Sequence, residues 1–289
     1  MAKEIFELSD PDVELDSPHA IVMLRPWIDV GCVGDLTLCW LEDHFGAKDF
    51  AKLANPGDYF DFTRYRPMVS LVEDRRELEL PNSTVKYAKR DGQEDLLFVH
   101  LLEPHISGDI YVESVYKFLK TLKVKRYCLV GSMYDVVPHT RELLVTGSAS
   151  EEELQDQLVD LNAKSSNYEG PTTILYRLFE RARKAKIETL NLMVHLPQYT
   201  QLEEDYSGEL RLLEIISQLY NFTDSLDELR GMAEKQYLEV SDIVAADSRL
   251  QSLLLRLEER YDLDAEESKL EKSTNELSPE VERFLREVD

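Results

Sequence analysis

Cysteine is scarce in this chain of 289 residues: Cys32, Cys39 and Cys128 are the only three. Each sits among apolar neighbours, which excludes a disulfide framework and predicts small core residues in a reducing compartment. Long hydrophobic runs are missing too. No stretch approaches the length of a membrane span, and the start Met1-Ala2-Lys3-Glu4-Ile5-Phe6-Glu7 lacks the apolar segment of a signal peptide, so the sequence predicts a cytoplasmic protein with no membrane contact. Positive charge is in short supply: 33 basic against 57 acidic residues give a net charge of -24. A polyanion is repelled by such a field, which argues against nucleic acid as a partner. None of the six histidines stands at metal-ligand spacing. Neither a dinucleotide fingerprint nor a phosphate-loop Lys-Ser/Thr is present, so no metal and no cofactor is expected.

What remains is ample for a folded core. Hydrophobic residues make up 43% of the chain, and a length of this order buries most of its unfolded surface. Apolar runs at residues 20–24, 68–72, 96–102, 127–130 and 190–196 predict strands, separated by turn signals or by helical periodicity. Helices are expected over 36–45, 110–122, 151–161, 172–186 and 209–222. This alternation predicts a layered α/β domain over residues 1–222.

Beyond residue 223 the strand signal stops. Leu250, Leu253, Leu254, Leu257 and Tyr261 fall at helical spacing and form one apolar seam, to be buried against the neighbouring helix 226–238 or against a partner. Residues 223–261 are therefore expected to form a helical hairpin. From residue 262 the pattern turns polar and predicts an acidic linker, closed by a short amphipathic helix that starts at Ser278-Pro279-Glu280. This tail would dock on its own domain or on a partner.

The richest segment chemically is Gly131-Ser132-Met133-Tyr134-Asp135-Val136-Val137-Pro138-His139-Thr140-Arg141, after the apolar run Tyr127-Cys128-Leu129-Val130. It reads as a loop at the carboxyl end of a strand, where open α/β sheets place ligands. His105, His139 and His195 each lie beside a proline after an inferred strand. If those strands are parallel, the three rings share a rim with Asp135, Arg141 and Glu103, a possible acid-base cluster. His139, Arg141 and His195 are the catalytic candidates. The simpler alternative is that they tie loops together, since no nucleophile is paired with a base. Ser132 lacks the second glycine of a nucleophile elbow.

Three further segments have two readings each. Gly31-Cys32-Val33-Gly34 offers a strand-to-helix turn or an anion site, with Asp29 and Asp35 set against a phosphate. Gly170-Pro171-Thr172 either caps a helix or captures a small anion. That helix carries Arg177, Arg181, Arg183, Lys184 and Lys186, and is the first choice for an electrostatic contact within the chain or with a partner. Tyr59, Phe60, Phe62 and Tyr65 are core rings or a subunit interface, and Leu250, Leu254 and Leu257 are also interface candidates.

Several of these segments together resemble one family. Trp27-Ile28-Asp29-Val30-Gly31-Cys32-Val33-Gly34, Tyr59-Phe60-Asp61-Phe62-Thr63-Arg64-Tyr65-Arg66-Pro67, the 131–141 segment, Tyr168-Glu169-Gly170-Pro171-Thr172 and Val194-His195-Leu196-Pro197-Gln198-Tyr199 are similar, in order, to the bacterial branch of the proteasome assembly chaperone 2 family. The resemblance spans roughly residues 18 to 222. It implies a three-layer α/β/α domain like the nucleoside-phosphorylase-like folds, homo-oligomers, and a non-enzymatic scaffold that binds other proteins. Some bacterial members carry a carboxylate-amine ligase label, which no nucleotide motif here matches. Proteasome-docking relatives end in a hydrophobic-Tyr-any tripeptide. This chain ends Glu287-Val288-Asp289, so insertion of that tail into a proteasome ring is not expected.

The leading expectation is thus a homo-oligomeric, assembly-chaperone-like protein of unknown client. The alternative is a small-molecule enzyme or binding protein using a rim of Gly131, Ser132, Asp135, Pro138, His139, Thr140, Arg141, Gly170, Pro171, Thr172, His195 and Pro197. There Arg141 would hold an anion while His139 or His195 moves a proton.

Overall fold

The longest apolar runs lie side by side at the centre of one sheet, because strands buried on both faces need unbroken hydrophobic sequence. A computed structural model of the chain describes residues 5–72, 74–166, 168–222 and 225–275. In chain order the elements are β1 (Phe6–Leu8), β2 (His19–Arg25), α1 (Val33–Phe45), β3 (Lys48–Leu53), β4 (Met68–Val72), β5 (Arg75–Glu79), β6 (Thr84–Ala88), β7 (Leu96–Leu102) and α2 (Gly108–Thr121). There follow β8 (Arg126–Asp135), β9 (Val145–Ala149), α3 (Glu152–Asp160), β10 (Ala163–Lys164), α4 (Leu175–Lys184), β11 (Glu188–Pro197), α5 (Tyr206–Leu219), α6 (Asp227–Ala246) and α7 (Ser248–Asn275).

Nine strands form the main sheet in the order β1-β3-β6-β7-β2-β8-β11-β9-β10. The central four, β7, β2, β8 and β11, run parallel, and antiparallel strands extend the sheet on both sides. Alternate residues of β2 face opposite layers. Ile21 and Met23 join α1, α3, α5 and the start of α6, whereas Ala20, Val22 and Leu24 join α2 and α4. The result is a three-layer α/β/α domain with helices added at its carboxyl end.

Polar groups also brace the layers. His100 on β7 bridges two carboxylates of α1, with Nδ1 3.1 Å from Asp35 and Nε2 2.5 Å from Glu42. Glu42 also accepts from Lys86 Nζ at 2.7 Å. Burial opposes charge on this ring, but the two carboxylates outweigh it and raise the His100 pKa. The cluster therefore holds together as ion pairs rather than as stranded charges.

Several expectations are corrected. Residues 131–135 are not loop: β8 continues through them to Asp135, paired with β11 as far as Pro197. Residues 68–72 are a strand but lie outside the main sheet, in a separate β4–β5 hairpin. Residues from 262 onward are not a linker at first, because α7 runs unbroken to Asn275; the short helix expected from Ser278 lies outside the described residues. Cys128 is buried as expected, but Cys32 is half-buried and Cys39 is exposed on α1.

Candidate functional site

Strand order reverses at β2, with β7 on one side and β8 on the other, and the crevice at their carboxyl ends is the customary ligand position in such sheets. Here the chain fills it with its own residues. Ser132 N–H donates to Ile28 O at 2.9 Å, and its hydroxyl donates to Val30 O at 2.6 Å. This close approach explains Gly131: a Cβ there would stand 2.3 Å from Ile28 O. Ser132 is fully buried in this contact and is no nucleophile.

The same segment answers the anion question at residues 31–34. Asp29 Oδ1 accepts the Gly34 N–H at 2.6 Å and the Asp35 N–H at 3.4 Å, so a carboxylate of the chain itself occupies the amino terminus of α1. Burial raises the Asp29 carboxyl pKa to about 6, against the pull of those backbone donors.

The segment that follows β8 receives the carboxyl-terminal helices. Arg141 forms a two-pronged pair with Asp262 of α7, Nε to Oδ1 and Nη2 to Oδ2 both at 2.9 Å, and its Nη1 reaches Glu258 at 3.3 Å. Thr140 donates to Glu258 at 2.5 Å, and Tyr261 OH donates to Glu142 O at 2.9 Å. The Leu257 side chain is buried beneath this polar row, with Leu250, Leu253, Leu254 and Tyr261 half-buried beside it. The apolar seam is therefore covered within the same chain.

His139 does the same for α6. Tyr199 OH lies 2.5 Å from Nδ1 and accepts the His139 backbone N–H at 2.9 Å, while Nε2 lies 2.9 Å from Ser241 Oγ. Ser241 gives its own proton to Tyr237 O at 2.9 Å. One arrangement satisfies every group: Tyr199 donates to Nδ1, and Nε2–H donates to Ser241. The ring is then neutral, in keeping with burial, which lowers its pKa. Beside it Tyr237 OH donates to both Asp205 oxygens, at 3.2 and 3.1 Å, and Asp205 caps α5 through Gly208 N–H at 2.9 Å. Both His139 and Arg141 are thus committed to tertiary structure, and the proposed acid-base and anion-holding roles have no free group there.

His195 stands differently. Its Nδ1 lies 2.7 Å from Asp135 Oδ2 and its Nε2 lies 3.0 Å from Thr146 Oγ1 on β9. Asp135 Oδ1 accepts the Val136 N–H at 2.7 Å. The His195 hydrogen bond holds the Asp135 carboxyl pKa below its usual range, ahead of the opposing effect of burial. Close by, a cavity of about 700 Å³ lies under α7, with Asp135, Val137, Leu144, Lys164, Arg211 and Tyr261 in its wall.

The remaining sequence candidates are dispersed. The four parallel strands do share a rim, but His105 is held apart from the other two, taking the Asp61 N–H on Nδ1 at 3.1 Å with its ring tilted 55° to that of Tyr65. Gly170, Pro171 and Thr172 lie exposed ahead of α4, where Tyr168 OH donates to Pro171 O at 3.0 Å. Tyr59 and Phe60 are buried around Tyr111 in the core, which settles them as packing residues; Phe62 and Tyr65 are half-buried against the same cluster. The basic α4 spends part of its charge within the chain, with Arg177 paired to Asp109 and Arg181 to Glu113 at 3.4 Å, both on α2, while Arg183 and Lys184 are exposed beside Glu180 of the same helix.

Sequence reading missed Thr146, Tyr199, Tyr237, Ser241, Glu258 and Asp262 as members of these clusters. Tyr199 stood in a segment singled out for its chemistry, and Tyr237, Ser241 and Glu258 lay in the expected helical hairpin without being singled out. Among the described residues no group of His, Cys, Asp and Glu is placed to hold a metal, and no helix is long and apolar enough to cross a membrane.

The sequence pattern of the PAC2 family matches residues 23–244. No curated protein matches the chain. Among solved structures, a protein of unknown function from Corynebacterium glutamicum superposes with a TM-score of 0.80 at 21% identity, over 91% of this chain and 99% of that one. A PAC2 family protein from Streptomyces avermitilis gives 0.73 at 25% identity, over 82% and 99%. A proteasome-assembly chaperone homologue from Mycobacterium tuberculosis gives 0.71 at 20% identity, over 81% and 99%.

Proposed function

This chain belongs to the PAC2 family, and from that membership we propose that it is a cytoplasmic, assembly-chaperone-like scaffold that acts by binding other proteins. The observation that carries the reading is the β4–β5 hairpin. All ten of its strand residues are exposed, and one face presents Val69 opposite Leu78 with Leu71 beside them, each 60% exposed or more. A two-stranded hairpin in water is marginal on its own, so an arm built this way calls for a protein surface to lie against. We assign that surface to a second copy of the chain, which makes the protein a homo-oligomer.

The client side is the outer face of the carboxyl-terminal helices. Leu238 and Ile243 on α6 and Leu255 and Leu263 on α7 are each more than half exposed. They sit in an acidic region, with 19 acidic against 9 basic residues from Asp224 to Asp289. Such a face suits a partner with an apolar patch rimmed by basic groups. The relative described as a proteasome-assembly chaperone homologue supports a client that is itself a subunit of a larger assembly.

The domain plan that accompanies this reading is an α/β core over residues 1–222 with the helical hairpin as its extension. The cavity under α7 favours a second reading, in which a small molecule is held there between Lys164, Arg211 and the apolar wall.

The test is capture of the tagged full chain from its host at native expression, followed by reconstitution with the recovered protein alone. A stoichiometric partner lost on Leu238→Asp or Leu255→Asp, but retained by an equally stable control, supports the scaffold. A monomeric chain with no partner, stabilised instead by a small ligand, supports the second reading.

A further inference from the structure

The His195 cluster differs from those of His139 and Arg141 in joining a carboxylate, an imidazole and a half-exposed hydroxyl in one row. With Asp135 accepting from Nδ1–H, a neutral His195 presents Nε2 as an acceptor, and the Thr146 hydroxyl, 3.0 Å away, is the donor that faces it. A hydroxyl giving its proton to an imidazole whose far nitrogen is fixed by a carboxylate has the three-part logic of an activated nucleophile. The order along the contacts is Thr146, His195, Asp135, with the His195 backbone N–H pinned to Leu144 O at 2.9 Å.

The neighbouring pair shows what a purely structural tie on this face looks like. Ser148, two residues on from Thr146, donates both its N–H and its hydroxyl to Asn191 Oδ1, at 2.6 and 2.9 Å. That pair contains no base. Thr146 remains half-exposed, and Lys164 stands opposite it in the β9–β10 ladder. Asp135, Leu144 and Lys164 also belong to the wall of the 700 Å³ cavity, together with Val136, Val137 and Leu143. Asp135 thus links the cluster to a wall that combines apolar side chains with Lys164, Arg211 and Arg260, while Thr146 and His195 stand outside that lining.

We propose that Thr146, His195 and Asp135 form a nucleophile, a base and a positioning carboxylate that transfer an acyl group from a carboxylic ester with a short apolar acyl chain to water. Thr146 Oγ1 attacks the carbonyl carbon while Nε2 takes its proton. Collapse breaks the bond to the alcohol oxygen, which leaves with that proton from Nε2 and so produces an acyl-threonine ester. Water then attacks the acyl carbon, its proton passing to Nε2. The bond to Oγ1 breaks, Thr146 recovers the proton, and the carboxylic acid is released. Lys164 is the charge available to the carbonyl oxygen as it becomes negative. No redox partner or metal enters the balance.

The test uses the full chain with p-nitrophenyl butyrate, and a fluorophosphonate probe whose site of attachment is read by mass spectrometry. The expected result is hydrolysis above the background rate and a single adduct on Thr146. Thr146→Val should lower turnover by at least about 100-fold, whereas Thr146→Ser should retain it. Asp135→Asn should displace the acidic limb of the pH–rate profile, an effect that a structural role alone does not produce. Melting temperatures identify any variant that fails to fold. Turnover unchanged in a folded Thr146→Val, an adduct on another residue, or no hydrolysis and no adduct with the folded wild-type chain would each overturn the assignment.

Discussion

Arg141 and Asp262 are 121 residues apart in sequence and joined by two parallel hydrogen bonds of 2.9 Å, both from the Nε–Nη2 edge of the guanidinium. This pair fixes a helix of the carboxyl-terminal extension onto the segment leaving β8. It also decides what Arg141 is for. A guanidinium whose Nε–Nη2 edge pairs with Asp262 and whose Nη1 reaches Glu258 is not waiting for an anion.

Replacing Arg141 with Ala should therefore free α7 without unfolding the α/β core. Amide exchange of α7 around Glu258 and Asp262 should quicken by at least about tenfold while the sheet stays protected. The melting temperature should stay within about 2 °C, since exposed pairs carry little of the global stability. Slow exchange in α7 of the variant would show that the apolar seam alone holds the helix.

Gly131→Ala should destabilise the whole domain. Its Cβ would stand 2.3 Å from a backbone oxygen, which has no rotamer with which to retreat, so Ile28 and β8 must separate. A loss of about 3 kcal/mol, the upper range for overpacking, is expected from the denaturant midpoint. Gly46, which has nothing within 4 Å of a built Cβ but a φ of 59°, provides the contrast, losing only about 1 kcal/mol through backbone strain.

Glu209 supplies a pH test. Burial, helped by the nearby Glu204, raises its carboxyl from 4.5 to about 7. The folded chain therefore binds this proton more tightly than the unfolded chain does. Its stability contribution is complete below about pH 4.5 and is lost as pH rises through 7. Glu209→Gln should raise stability by about 2 kcal/mol at pH 8 and leave it unchanged at pH 4, as read from urea midpoints at the two pH values.

Charge on the hairpin should act on association rather than on folding. Leu71→Asp and Leu78→Asp alter side chains that are 67% and 63% exposed, so the melting temperature of the dilute protein should hold. Light scattering across a concentration series should show the dissociation constant of the oligomer rising by at least about tenfold. An unchanged mass at every concentration would remove the hairpin from the interface.

The central layer was legible because β2, β7, β8 and β11 carry continuous apolar sequence, which needs no tertiary information to interpret. Among the strands that sequence reading missed, β3 and β6 break short apolar stretches with Lys, and with Asp in β3, and their identity comes from their neighbours in the sheet. Gly131 and Ser132 resembled the start of a loop because small residues mark turns; here they mark a close approach of two backbones. The polar stretch after Asp262 resembled a linker because it lacks an apolar stripe. Its Glu, Lys and Ala content favours helix without one once the preceding turns are docked.

Of the candidate site, His139 and Arg141 were identified as residues that matter but not in the structural ties they make, and His195 was identified without its hydroxyl partner Thr146. Those contacts depend on Ser241, Glu258, Asp262 and Thr146, which lie 49 to 121 residues away from the groups they meet. No local pattern encodes such distances. The Thr146 hydroxyl in particular sits in the ordinary-looking strand Val145–Ala149, and becomes notable only when β9 pairs with β11.

A single residue, Asp247, separates the last turn of α6 from the first turn of α7, and its carboxylate caps the second helix by accepting the Arg249 N–H at 2.7 Å. So short a joint makes α7 a stiff beam on a pivot. At about 1.5 Å per residue, the clamp at Asp262 falls roughly 22 Å from the pivot, and the described end at Asn275 about 42 Å. Any small angular play that the clamp permits is therefore nearly doubled at Asn275, so one arginine sets the swing of the last described turn of α7.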